Sequence, residues 1–276
     1  MSGGDAGAPN PRAEVRLDTE APADWRPITE EPIVIVVGVT GVGKSTTIDH
    51  LARRLPCFVL PDRRDLADRV VIPAAQDDLG LPRAPVRDRL ERFRLTARYR
   101  ELHPGGMAHA LSRWRIDPSV HAGHLIFDGL RGVDEILWAI AHFPRSRFLG
   151  LRAPEALRLL RLLGRHQGFD FAAVPTGTLA TAGRDVDTLI AAVPGLDAIV
   201  PPSELAAVLS SSALEGVGLD EIASKAAILV EEARNYDPAA TLRTLEAELG
   251  PWRHLIVNTA TTPPEEVADL AARWLQ

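Results

Sequence analysis

Residues 38–45 read Gly38-Val39-Thr40-Gly41-Val42-Gly43-Lys44-Ser45. They fit the spacing Gly-x-x-x-x-Gly-Lys-Ser, which makes a phosphate-binding loop. The glycines let the backbone curl until successive N–H groups point inward at phosphate oxygens. The helix that follows adds the positive end of its dipole. In such a loop the lysine, here Lys44, reaches the β- and γ-phosphates, Ser45 supplies a hydroxyl to Mg²⁺, and Thr46 meets the α-phosphate. A second candidate is Asp128, which ends the apolar run Leu125-Ile126-Phe127. A carboxylate at the carboxyl end of a buried strand is placed to hold Mg²⁺ through water. The competing role for Asp128 is that of a cap on the next helix. Together these residues predict a site for ATP and Mg²⁺, with Ser45 and Asp128 on the metal.

These groups need rigid elements to aim them. Residues 31–37, Glu-Pro-Ile-Val-Ile-Val-Val, end in a continuous β-branched run, which suits a strand buried on both faces. The segment 46–55 follows as a helix, with Ile48, Leu51 and Leu55 on one face. Further strands are predicted at 57–60, 124–128, 147–151 and 254–258, alternating with helices. That order implies a three-layer α/β fold with a parallel five-stranded sheet. Residues 82–115 read as helices broken at His103-Pro104-Gly105-Gly106. Residues 166–250, rich in Ala and Leu, read as a helical lid or insertion, with 197–200 as one short strand candidate. Residues 1–29 read as a flexible arm ahead of a core spanning 30–165, and 251–276 as its last strand and helix.

Composition narrows the class. Of 276 residues, 46% are hydrophobic and 25% charged, which is globular rather than disordered. No apolar run reaches the ~18 residues of a membrane span. The opening segment lacks a basic and then apolar signal pattern. The single cysteine, Cys57, excludes an intramolecular disulfide framework and fits a reducing compartment, so a cytoplasmic location is expected. A net charge of −6 argues against a nucleic-acid partner. Among 31 cationic side chains only Lys44 and Lys225 are lysines, so Lys44 stands out within an arginine-biased chain. The histidines show no metal-ligand spacing, Cys57 reads as buried, and the tryptophans read as packing residues.

The segments Asp128-Gly-Leu-Arg131-Gly-Val-Asp-Glu135-Ile and Arg158-Leu-Leu-Arg161-Leu-Leu-Gly-Arg165 accompany the phosphate loop. With the closing stretch 254–275 they resemble the nucleoside monophosphate kinase branch of the P-loop proteins. The likeness is to the dephospho-CoA kinase and deoxynucleoside monophosphate kinase type, and it covers residues 31–165 and 252–276. It implies a P-loop NTPase fold and transfer of the γ-phosphoryl group of ATP to a small phosphorylated or nucleotide-like acceptor. Arg131 would then contact the acceptor, and Arg158, Arg161 and Arg165 would sit at a lid near the transferring group. Spacings of three and four put those arginines on one helix face, and guanidinium forks suit phosphoryl oxygens. The competing reading is a solvated arginine face. Asp62 would orient or deprotonate the acceptor, with Arg63 or Arg64 on its phosphate; alternatively Asp62 pairs with those neighbouring arginines. The nine arginines in 83–115 would face an anionic acceptor or pair with Asp88, Glu91 and Glu101.

The insertion at 166–250 exceeds a usual lid. It keeps open a regulatory ATPase that switches a partner, or a homo-oligomer or protein contact through that segment. The motifs argue against other NTPase types. There is no [Asn/Thr]-Lys-x-Asp, no Leu-Ser-Gly-Gly, and Asp128 is followed by Gly129 where ring and transporter ATPases carry a glutamate.

Overall fold

Ile33–Val37 is buried at every position. A strand of that kind belongs at the centre of a sheet covered on both faces. The computed structural model describes residues 15–118, 123–164, 185–211, 214 and 216–276. Its strands are β1 (Val15–Leu17), β2 (Arg26–Pro27), β3 (Ile33–Val37), β4 (Cys57–Val59), β5 (Trp114–Ile116), β6 (His124–Phe127), β7 (Arg147–Arg152) and β8 (His254–Asn258). The helices that matter first are α1 (Lys44–Ala52), α2 (Arg63–Leu66), α3 (Ile72–Asp78), α4 (Arg89–Leu102), α5 (Gly106–Ser112) and α6 (Val133–His142). They are followed by α7 (Glu155–Leu163), α8 (Val186–Ala192), α9 (Pro202–Leu209), α10 (Leu219–Asn235), α11 (Pro238–Glu248) and α12 (Pro264–Leu275).

The main sheet has the order β4-β6-β3-β7-β8 with every neighbour parallel. All five strands expected from the apolar runs are in it. One face carries Ile33, Ile35, Val37, Phe127 and Phe148 against the helices from α2 to α6 and α11. The other carries Val34, Val36, Ile126, Leu149 and Val257 against α1 and α12. The alternation of consecutive β3 residues between the two clusters is the period-two geometry of a strand. This is an α/β fold with helices on both faces of a five-stranded parallel sheet. No helix among the described residues is long and apolar enough to cross a membrane.

Five expectations change. The folded body begins by residue 15, not 30, because β1 and β2 flank β5 in a small antiparallel sheet. Trp25 and Ile28 are buried there, which supplies the apolar contact that an arm would lack. Residues 114–116 form that sheet's central strand rather than a helix end. Residues 197–200 form turns, not a strand. Finally, 166–250 does not act as one unit. Helices α7 to α10 share a separate apolar core around Leu159, Leu162, Ile222 and Leu229, whereas α11 inserts Leu242 and Leu245 into the sheet's own core. Of the tryptophans, Trp252 is 65% exposed, so packing does not account for it.

Gly150 is what admits α11. A Cβ there would stand 2.6 Å from Leu242 Cδ2 and 3.1 Å from Ile256 Cγ1. Gly150→Ala overpacks this layer and should lower stability by about 1–3 kcal/mol. Urea unfolding measures it; unchanged stability would mean that α11 does not rest on β7.

Candidate functional site

The turn from β3 into α1 is built on glycine. Gly41 and Gly43 have φ of +85° and +97°, values that other residues adopt at a cost. At Gly41 a Cβ would lie 3.0 Å from the carbonyl oxygen of Arg158, so α7 rests directly on the loop. Gly43 is the N-cap of α1, and the helix therefore starts at Lys44 with its free N–H groups facing the loop. Ser45 and Thr46 are exposed on its first turn.

Lys44 folds back over the loop. Its Nζ donates to the carbonyls of Gly38 (2.8 Å) and Val39 (3.2 Å) and lies 3.5 Å from Asp128 Oδ1. Burial pulls the ammonium below the ordinary lysine range, while the Asp128 charge, and more weakly that of Glu232, act in the opposite sense. Asp128 follows the last residue of β6, the neighbour of β3, so strand pairing brings it to Lys44. Its side chain is partly accessible.

The centre of the site is a residue that the motifs do not contain. Glu232, near the C-terminal end of α10, is 6% exposed. Both of its carboxylate oxygens accept from the Thr40 N–H, at 3.1 Å each. Oε1 also accepts from Thr40 Oγ1 at 2.5 Å and from Arg131 Nη1 at 2.8 Å. Oε2 accepts from Arg158 Nη2 at 2.6 Å. Burial would push this carboxyl up, but Arg131, Arg158 and the Thr40 donors outweigh it and hold it below the usual range. Lys44, Arg131 and Arg158 thus face Asp128 and Glu232, an excess of positive charge in a shielded place. The one clue to Glu232 in sequence is its position. It falls on the stripe of Ile222, Leu229 and their neighbours that faces inward, where an acidic residue needs a partner.

Three of the four candidate arginines lie among the described residues, and they separate. Arg158 is 3% exposed; besides Glu232 its Nε donates to Thr40 O at 2.8 Å. Arg131 reaches Glu232 from the loop after β6. Arg161 instead spans to the segment after β8, donating to Thr259 Oγ1 and Thr259 O, both at 2.8 Å, and to Gly41 O at 3.3 Å. Arg165 lies outside the described residues. Beside Arg161 is a cavity of about 210 Å³ lined by Gly43, Thr46, Thr47, Thr259, Pro264 and Val267, among others.

The acceptor side differs from expectation. Asp62 is exposed, and its Oδ1 accepts the N–H groups of Arg64 and Asp65 as the N-cap of α2. Among the described residues it makes no hydrogen bond to Lys44, Asp128, Arg131 or Glu232, so the structure uses it as a cap rather than at the charged centre. Arg63 is not free to hold a phosphate. It donates to both oxygens of Glu135 at 2.9 Å, to Gly129 O at 2.6 Å and to Tyr236 Oη at 2.9 Å. Glu135 is 3% exposed and also accepts the Arg131 N–H at 2.9 Å, fixing the backbone that carries Arg131. In the arginine-rich segment, Arg83, Arg92 and Arg113 pair with Asp77, Asp68 and Asp18. Arg98 pairs with Asp78 and Glu101. Of the three partners expected, Glu101 alone pairs with an arginine among the described residues, while Asp88 caps α4.

The donor set suits Mg²⁺. Ser45 offers a hydroxyl and Asp128 a carboxylate, oxygen ligands of the hard kind, and Mg²⁺ commonly takes only one or two protein ligands plus phosphate and water. No cluster of three or more His, Cys, Asp or Glu residues poised for a metal occurs among the described residues.

No known protein family's profile matches the chain, and no curated protein does either. Among solved structures, an unliganded sugar kinase from Janibacter sp. HTCC2649 aligns over 88% of this chain and 92% of its own. The identity is 16% and the TM-score 0.37, a likeness too slight to bear on what this protein does.

Proposed function

We propose that the protein is an ATP- and Mg²⁺-dependent phosphotransferase of P-loop type, acting on a small anionic acceptor. The observation that carries this reading is the meeting of Lys44, Asp128, Arg131 and Arg158 around Thr40 and the glycine loop. That meeting lies at the carboxyl ends of β3 and β6, where open α/β sheets bind ligands. The N–H groups at the start of α1 cradle the phosphates, and Lys44 turns from its carbonyl partners to the β- and γ-phosphoryl oxygens. Ser45 and Asp128 hold Mg²⁺, which neutralises phosphate charge when bound. The cavity beside Arg161 and Thr259 takes the nucleoside. In the transfer, an acceptor oxygen bonds to the γ-phosphorus as the bond to the β–γ bridging oxygen breaks, and the acceptor proton leaves to water. Arg131 and Arg158 face the equatorial oxygens, so catalysis is positioning and charge neutralisation.

A second reading is a regulatory ATPase in which the α7–α10 unit passes a nucleotide-dependent change to a protein partner or a second copy. What favours it is Glu232, which ties α10 to Thr40 across 192 residues of chain. Both readings meet one experiment: ADP release with ATP or GTP and Mg²⁺ across nucleoside monophosphates, nucleosides and dephospho-CoA. Phosphotransfer predicts one acceptor that raises turnover well above the acceptor-free rate. Acceptor-independent release favours the ATPase. No release under any condition would count against both.

A further inference from the structure

Resting on the nucleotide reading above, we propose that Glu232 is an internal anion seated in the subsite of the transferring phosphoryl group. It must leave before a nucleoside triphosphate can seat, whereas a diphosphate binds without moving it. The carboxylate is surrounded by donors: the Thr40 N–H and hydroxyl, Arg131 Nη1 and Arg158 Nη2. A backbone N–H, a hydroxyl and two guanidinium groups are the donors that a phosphoryl group recruits. Both Arg158 and Glu232 are shielded from water, with side chains 4% and 8% exposed, so this is a built anion site and not a surface ion pair.

Its place within the loop identifies the phosphate concerned. Thr40 lies at the Gly38 end of the loop, away from the N–H groups of Gly43, Lys44 and Ser45 that open α1. Those N–H groups serve the phosphates nearer the nucleoside. Thr40 instead lies beside the carbonyls of Gly38 and Val39 that hold the Lys44 ammonium, which in such loops meets the β- and γ-phosphates. The α10 carboxylate therefore competes with the terminal phosphoryl group and not with the inner two. The arginines meanwhile stay ordered on a counter-ion. A dianionic phosphoryl group with three oxygens can displace it, since it satisfies the same donors with more charge.

The test is binding, not turnover. Calorimetry on the full chain compares Mg²⁺ with ADP and with the non-hydrolysable triphosphate AMP-PNP, in wild type and Glu232→Gln. Removing the competing charge should tighten AMP-PNP by roughly tenfold or more, because a blocked fraction of the protein lowers apparent affinity in proportion. ADP affinity should stay within about twofold on the same argument. Hydrogen exchange on the wild type removes dependence on the variant's folding: AMP-PNP, but not ADP, should lower protection in residues 229–236. The inference is overturned if ADP binds normally while AMP-PNP affinity is unchanged or weakened in the variant. It is also overturned if AMP-PNP leaves the end of α10 as protected as ADP does. If ADP does not bind the wild type, the nucleotide reading fails and this inference with it.

Discussion

Lys44→Ala should lower kcat/KM for the proposed phosphotransfer by on the order of 10²–10³-fold, the usual cost of deleting one preorganised group aimed at developing charge. The effect is large because of where the ammonium lies. It is held by two loop carbonyls and faces Asp128 at 3.5 Å, in surroundings shielded enough to lower its proton affinity. A cation there acts in a weakened dielectric and needs only to turn from those two carbonyls when phosphate arrives. The fold should survive, since β3 and α1 are held by Val36, Ile48 and Leu51 rather than by Lys44. Thermal unfolding beside the ADP-release assay separates the two effects. Lys44→Arg should not rescue, because the planar fork cannot reproduce a point charge inside so tight a turn. Near-wild-type turnover in Lys44→Ala would refute the phosphate-loop assignment.

The largest effect on stability is expected at Glu135. Glu135→Leu leaves the buried Arg63 guanidinium without its carboxylate and should destabilise the protein by about 3–5 kcal/mol. For a chain of this size that is a fall in Tm on the order of 10 °C. The variant also releases the Arg131 N–H, so activity should fall even below the melting range. Arg63→Met with Glu135→Leu should cost less than Glu135→Leu alone, because no buried charge is then left unpaired. Denaturant titration of the two single variants and the double decides it; a double variant as unstable as the summed singles would mean that the pair is not coupled. The pair also predicts a pH trend. Burial would raise the Glu135 carboxyl, but Arg63 outweighs it and the group lies below its ordinary 4.5. A carboxyl depressed in the folded state contributes stability above the unfolded value and loses it as pH falls through the folded one. The wild type should therefore lose this contribution on acidification below about pH 4.5, while the double variant should show a flatter acid limb.

The sequence by itself determined the elements whose information is local. Eight consecutive residues, Gly38 to Ser45, carry the loop, because glycine spacing controls φ within the turn itself. The five apolar runs determined the five parallel strands, since a strand covered on both faces must be apolar throughout. Asp128 was legible because it closes one of those runs. Tertiary structure decided the partners. Arg131, Arg158 and Arg161 look alike on a helix or loop, yet two meet Glu232 and the third meets Thr259. Arg63, beside a candidate acceptor residue, became a strut for Glu135. The small sheet of β1, β2 and β5 and the placement of α11 on β7 depend on contacts between distant segments, which short strands and generic amphipathic helices do not announce. Glu232 is the clearest case: it meets Thr40 only once α10 has packed on α7. An isolated acidic residue on a helix has no local feature that names its partner. The physical reason is that a buried charge is stabilised by whichever donors the fold delivers to it.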